Sequence, residues 1–559
     1  MSHKLPNEIL LNISAWVANN SSLDLKPLTL VDRQWYSVAA PSLLSTISVT
    51  SLGNLLELCD HLVSFGGSPS DGLPSALPKN ARTIVISGVI WGRRADCCVG
   101  LEDLGEILGT GEEDTRNTDE LDVSVPFDEI VSKLRSALPL LSMLDGLEWY
   151  GRFVGDYHLV RYLQKSGVIR HLSYGIDTQV SGVSFAYDQI AFLFDGLITL
   201  KITSESEPEH EMFSCIVYMM HRNPNLEEIL FDCKYAESLN GKWQLQHIIY
   251  QDRQPFVWPN LKRLVLRFFQ GDFWQSAEEV DQLAQFLIAH PHLETLVLHE
   301  TCFEDSESET VLPLSLSAYP NSLPALKKLI GSPRLIAGVL ESSAACASVT
   351  TIIDNSEEGF DDAGAKEPYA DRILAALKNI PNNSVQRLTL EVPQLNRSVY
   401  AAFATAAPNI GFLDFLPDRF ARRRTTTKDR SFNAQDDIPT SLNEFPKLDI
   451  VGSDIVVDFI KASTEDGEAA VLELARRVPR LKAIHCGQGI LLSILRSSNG
   501  TPSISKDPVY LDNSDYDWDM FQVDWRHRPI SRRRIPEAFG SDGEFDILIG
   551  QICWFKIVY

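Results

Sequence analysis

The chain has 559 residues, 44% of them hydrophobic, and carries 50 Lys plus Arg against 75 Asp plus Glu, a formal net charge of −25. This much apolar material excludes a wholly disordered chain. An acidic surface of this size repels phosphate backbones, which argues against nucleic-acid binding as the main task and for proteins as partners. At roughly 150 residues per domain the length is large for one domain but suits a repeat array.

The first residues do not read as a secretion signal, because Glu8 interrupts any apolar run behind Met1-Ser2-His3-Lys4. No stretch reaches the roughly 18 uninterrupted apolar residues of a membrane span. The nine cysteines are odd in number and scattered without a CxxC pair. That usage predicts reduced core thiols, no membrane partner, and a cytoplasmic and/or nuclear location.

Residues 5–47 are the most informative. Pro6 opens a helix, Glu8 suits its positive end, and Ile9, Leu10, Ile13, Trp16 and Val17 repeat at helical spacing. Asn19-Asn20-Ser21-Ser22 breaks it. Asp24 caps a second helix with Pro27 in its first turn, lined by Leu28, Val31, Trp35 and Val38, and Pro41 is expected to end it before Leu43-Leu44 and Ile47. Three short helices of this length carry more apolar surface than they can bury alone. The surplus meets either the rest of this chain, as an N-terminal cap, or another protein.

The order Leu5-Pro6-x-Glu8-Ile9-Leu10-x-x-Ile13, Leu28-x-Leu30-Val31-x-Arg33-x-Trp35-Tyr36, Ala40-Pro41-x-Leu43-Leu44 resembles the F-box motif in its fungal form. Departures are Asp32, where that family often has Cys, and the polar Asn-Ser loop. The resemblance implies a docking module for the Skp adaptor and, through it, a cullin. Leu5, Pro6, Ile9, Leu10, Ile13, Leu28, Val31 and Trp35 would then present the adaptor-facing surface.

Beyond residue 50 a unit recurs in which a helical run ends near Pro and a strand of the form L-x-x-L-x-L follows. The clearest copies begin Pro224-Asn225-Leu226, Pro259-Asn260-Leu261 and Pro291-His292-Leu293; Leu226, Leu261, Leu293 and Leu326 are 35, 32 and 33 residues apart. Weaker copies start near Ala81, Leu141, Ile169, Leu197, Val385, Ile410, Leu448 and Leu481. Between strands the period is helical, as in Ala277 to Ala289, Asp371 to Leu377 and Glu468 to Val478. Proline stops each helix and forces the residue before it into extended geometry. Strand, crossover and helix every 30 residues or so predict a parallel sheet with outer helices, each unit burying its neighbour.

The pattern resembles degenerate leucine-rich repeats, though Lys234, Phe269 and Thr301 stand where that family has its asparagine. The expected fold class is therefore α/β: an N-terminal three-helix F-box, then an irregular leucine-rich-repeat-like solenoid of parallel strands with outer helices. A more globular α/β domain is the alternative. The expected domains are 1–50 (F-box), 51–510 (repeats) and 511–559 (cap or extension, an aromatic-rich tail expected to dock as a final strand).

In such a solenoid the positions between the leucines line the concave face. Arg263, Arg267, His299, Arg387, Phe412, Asp414 and His485 are the candidate target-binding residues, beside Glu228, Leu230, Asp232, Val265, Thr295, Val297, Thr389, Glu391 and Leu416. Any one of them is equally readable as an ordinary solvated strand residue. The acidic stretch 109–125, the polar stretches 304–322 and 354–368, and two basic clusters, Arg422 to Arg430 and Arg526 to Arg534, read as loops. The basic pair would suit an acidic or phosphorylated segment, or nuclear import.

No catalytic constellation is visible. His210-Glu211-Met212 lacks the second His of HExxH, and His290-Pro291-His292 has no Cys or acidic companion at zinc spacing and reads as a surface pair. Gly487-Gln488-Gly489, between a strand and a helical run, lacks both the third glycine and a P-loop lysine. No metal or cofactor is implied. The expected role is a non-catalytic substrate-recognition subunit of an SCF-type ubiquitin ligase, holding the Skp adaptor at one end and a target protein on the repeats. The alternative is an F-box scaffold or regulatory binder acting outside the ligase.

Overall fold

A buried apolar anchor stands two residues before every parallel strand but the first, where Leu44 is half-buried, and this spacing organises the fold. The computed structural model describes Leu10, Ser14 and residues 33–49, 52–66, 80–87, 132–133, 135–150, 163–176, 194–204, 210–233, 245–251, 254–270, 277–301, 314–354, 369–380, 383–392, 396–417, 432–463, 467–485, 490–505 and 509–510. The chain divides into two compact units, Met1–Glu228 and Ile229–Tyr559.

In the first unit, β1 (Thr46–Val49), β2 (Thr83–Ser87), β3 (Gly146–Tyr150), β4 (His171–Ile176) and β5 (Thr199–Ser204) lie side by side in chain order, all parallel. Ala81, Leu144, Ile169 and Leu197 are the buried anchors of β2 to β5. The second copy is therefore anchored by Leu144, three residues later than Leu141, where the sequence suggested it. Helix Leu52–Gly66 forms part of the first crossover and buries Leu55, Cys59 and Leu62 at helical spacing.

Helix Arg33–Leu43 runs through Pro41 instead of ending before it. Proline is tolerated there because only the last turn lies beyond it, and the Leu44 amide still reaches the Ala40 carbonyl at 2.8 Å. Of the residues assigned to an adaptor surface, Leu10 is buried and Trp35 is half-buried. Leu5, Pro6, Ile9, Ile13, Leu28 and Val31 lie outside the described residues.

A main-chain ladder joins each strand start to the one before it, at the opposite end of the strands from Phe269 and Thr301. The amides of Arg82 and Thr83 both donate to the Ser45 carbonyl, those of Asp145 and Gly146 to Arg82, and those of Arg170 and His171 to Asp145. The same fork recurs in the second unit, where Glu294 and Thr295 donate to Lys262, and Lys327 and Lys328 donate to Glu294. Each strand start is pinned to the one before it, and no particular side chain is required.

Asn223 adds a side-chain link. It is 1% exposed; its Nδ2 donates to the Phe194 and Met219 carbonyls at 2.8 and 2.7 Å, and its Oδ1 accepts from the Leu197 amide at 2.8 Å. It thereby ties helix His210–Arg222 to the turn that starts β5. Asn223→Ala leaves buried main-chain groups unsatisfied and is expected to cost about 2 kcal/mol, read as a lower urea midpoint.

In the second unit, after β6 (Glu228–Cys233) and the small antiparallel pair β7 (Tyr250–Gln251) and β8 (Gln254–Pro255), a second parallel run begins. It comprises β9 (Arg263–Gln270), β10 (Thr295–Thr301), β11 (Lys328–Gly331), β12 (Thr351–Asp354), β13 (Arg387–Val392), β14 (Phe412–Pro417), β15 (Ile450–Val451) and β16 (Ala483–His485). They pair in chain order. Leu261, Leu293, Leu326, Val349, Val385, Ile410, Leu448 and Leu481 are the buried anchors.

The crossover helices follow the helical periods in the sequence. Ala277–Ile288 buries Val280, Leu283, Phe286 and Leu287; Tyr369–Asn379 buries Ile373, Ala376 and Leu377; Gly467–Arg477 buries Val471, Leu474 and Ala475. Each fully buried large side chain of this kind stabilises by about 1.5–3 kcal/mol.

The parallel order stops at β16. Only four residues join it to β17 (Ile490–Arg496), too few for a parallel crossover, so β17 returns antiparallel. β18 (Pro502–Ile504) and β19 (Val509–Tyr510) both pair antiparallel with β17. A strand, not the helical run read from the sequence, thus follows Gly487-Gln488-Gly489, which itself lies outside the described residues.

The surface pair expected at His290 and His292 also divides. His292 is exposed, whereas His290 is buried between Trp258 and Phe286. Its Nε2 accepts from the Trp258 amide at 3.0 Å, which places the ring proton on Nδ1, where it donates to the Phe286 carbonyl at 2.7 Å. Burial holds its pKa below the ordinary histidine value. The stretch 109–125 and both basic clusters lie outside the described residues. Of 304–322, residues 314–322 are described, and Leu314 and Leu316 are buried.

Candidate protein-binding face

Alternation along each strand separates two faces of the second unit's sheet. The leucine side meets the helices: a Cβ on Gly331 would collide with Leu335, and the Phe415 ring packs 5.1 and 5.4 Å from Tyr400 and Phe403. All seven candidate target-binding residues alternate to the other side, where strand register arranges them in three rows.

The first row, nearest the strand starts, runs Arg263, Thr295, Lys328, Thr351, Arg387, Phe412, Ile450, Ala483. Its first five members are half-buried, and three of those are basic. The Arg387 guanidinium stands over the Phe412 ring at 4.4 Å, a cation–π contact that fixes both side chains.

The middle row begins apolar. Val265, Val297, Ile330 and Ile353 form one cluster, each 0% exposed, with Leu230 packed against it. It continues through buried Thr389 and Asp414 to Gly452 and ends at His485. Gly452 is required here, because a Cβ would occupy the space of the Asp414 carboxylate.

His485 is 8% exposed and its ring meets Phe412 edge-on at 5.6 Å. Burial, reinforced by the Arg387 charge, lowers its pKa to about 4, so the imidazole is neutral at pH 7.

The third row holds the Asp232 carboxylate and the Arg267 guanidinium in a buried ion pair at 3.0 Å, with His299 opposite Arg267 on the next strand. Arg267 is 3% exposed; one nitrogen meets Asp232, and its Nη2 has no hydrogen-bond partner. Desolvation pulls its pKa down and Asp232 pushes it back up.

Register thus brings the seven together, and the structure buries five of them: Arg267, His299, Phe412, Asp414 and His485. Arg263 and Arg387 remain half-exposed. Sequence reasoning missed Lys328 and Ile330, although their strand β11 follows the Leu326 anchor, and it missed Ile353 because β12 follows neither a proline nor a leucine anchor. The available signal was the β-branched run Thr350-Thr351-Ile352-Ile353.

Among the described residues no group of three or more His, Cys, Asp or Glu side chains is arranged to hold a metal ion, and no helix is long and apolar enough to cross a membrane. The described free cysteines are Cys59, Cys215 and Cys346; burial pushes Cys59 and Cys346 up to about 11, which keeps both as thiols.

The fold is a mixed α/β repeat array with a mostly parallel sheet. The chain matches no family model, and no curated protein matches it. Among solved structures, one match is a crystal structure of the Rad7 and Elc1 complex in yeast. It is 14% identical with a TM-score of 0.24, covering 53% of this chain and 86% of that chain. So distant a likeness carries no function across.

Proposed function

We propose that the protein is a non-catalytic substrate-recognition subunit of an SCF-type ubiquitin ligase. An F-box in residues 5–47 binds the Skp adaptor and, through it, a cullin, and a leucine-rich-repeat-like array binds the target protein. The observation that carries this reading is the order Leu5-Pro6-x-Glu8-Ile9-Leu10 to Ala40-Pro41-x-Leu43-Leu44 ahead of a parallel strand–helix array. On that sheet face the partly exposed Arg263, Lys328 and Arg387 offer positive charge to a partner protein. The mechanism is proximity: holding the target near the ubiquitin-carrying enzyme raises the local concentration of its lysines.

Co-purification tests it. The full chain is expected to retain the Skp adaptor, and the Leu5→Ala, Pro6→Ala double variant is expected to lose it with the fold intact by circular dichroism. No adaptor with either form would reduce residues 5–47 to a cap on the repeats.

A further inference from the structure

The strand starts of the second unit carry a charge opposite to that of the chain. Across β9 to β13, the first residue of each strand and the residue before it supply Lys262, Arg263, Lys327, Lys328 and Arg387 as cations, with Glu294 as the anion. Glu294 pairs with Lys327 at 2.6 Å. Lys262 and Lys327 are exposed, and Arg263, Lys328 and Arg387 are half-buried. On a chain of net charge −25 a band of this sign carries self-repulsion that an anionic partner relieves.

Register gives the band a spacing. Arg263, Lys328 and Arg387 share the first row but stand on β9, β11 and β13, so two strand spacings, about 9.6 Å, separate each from the next. The half-buried Thr295 and Thr351, on β10 and β12, fill the positions between. A segment lying along the row crosses the strands, and its carboxylates must repeat at the same interval to meet all three cations.

A polyproline II chain does so at every third residue, about 9.3 Å per turn. A β-strand returns to one face at every second residue, about 6.7 Å, which matches poorly. An α-helix comes nearest at two turns, about 10.8 Å, and would present a carboxylate only every seventh residue. The polyproline II backbone makes no hydrogen bonds of its own, so its carbonyls are available to the Thr295 and Thr351 hydroxyls.

We infer that the target segment held on this face is an acidic polyproline II stretch with a carboxylate at every third residue, laid along Arg263, Lys328 and Arg387. The inference rests on the reading of this face as target-binding and names the class of target it takes.

Three fluorescent peptides of one composition, each carrying three glutamates among prolines and serines, are the probes, and anisotropy with the full chain is the readout. The peptide with glutamates at every third position is expected to bind roughly tenfold more tightly than those with glutamates adjacent or at alternate positions. Its binding should weaken as salt rises. Lys328→Glu is expected to weaken it by a further factor of roughly ten, whereas Lys482→Glu, at an exposed strand start outside the three-cation row, leaves it unchanged.

Equal affinity for the three spacings, equal losses in the two variants, or no binding of any peptide overturns the inference. The spacing comparison uses the unaltered chain, so it decides the matter whatever Lys328→Glu does to the fold. Adaptor co-purification depends on residues 5–47 and is scored separately, so its failure with spacing-dependent binding intact counts only against the ligase reading.

Discussion

Asp232→Ala is expected to destabilise the protein by about 3–5 kcal/mol, the range for removing one partner of a buried ion pair. The carboxylate and guanidinium side chains are each 4% exposed at 3.0 Å separation. Without Asp232, Arg267 keeps its charge with no counter-ion at contact distance, and the Arg263 charge on the same strand adds repulsion. Replacing both, as Asp232→Leu with Arg267→Met, is expected to recover most of the loss. The new pair would extend the apolar row of Leu230 and Val265, and no charge would remain to be solvated. Urea unfolding of the wild type, Asp232→Leu, Arg267→Met and the double variant measures the coupling. Additive losses would mean that the ion pair contributes nothing as a pair.

How legible this was in the sequence follows from which interactions are periodic. Leu226, Leu261, Leu293 and Leu326 repeat because each parallel strand after the first carries a buried anchor two residues before it, and all four are buried. The helices at 277–288, 369–379 and 467–477 follow from apolar spacing alone. Placement of Arg263, Arg267, His299, Arg387, Phe412, Asp414 and His485 on one face follows from alternation. Their burial does not, since it depends on what packs over the face and on partners 35 residues apart in sequence, such as Asp232 and Arg267.

Val349 escaped as an anchor because two short helices, Pro333–Leu340 and Ser343–Ser348, replace the usual single crossover helix and no proline precedes it. The absence of asparagines at Lys234, Phe269 and Thr301 suggested a loose array. The links between repeats are main-chain forks, which leave no trace in a sequence.

The second large effect is pH-dependent and centres on His485. Its folded pKa of about 4 lies below the unfolded value of about 6.5, so between those values the unfolded chain takes up a proton that the folded chain refuses. This contribution is complete above pH 6.5 and is lost as the pH falls toward 4. It totals roughly 3 kcal/mol, with about 2 kcal/mol already gone at pH 5. The sign is fixed by the surroundings: burial disfavours the imidazolium and Arg387 repels it. His290, whose Nε2 already accepts the Trp258 amide, is held neutral by burial and loses stability in the same direction.

His485→Leu is therefore expected to flatten the fall in stability between pH 7 and pH 5 by about 2 kcal/mol over the interval, ~1 kcal/mol per pH unit on average. His290 adds to the slope in the same direction. An unchanged slope in His485→Leu would mean that the imidazole is solvated in the folded protein, and that the end of the row beside Gly452 is open.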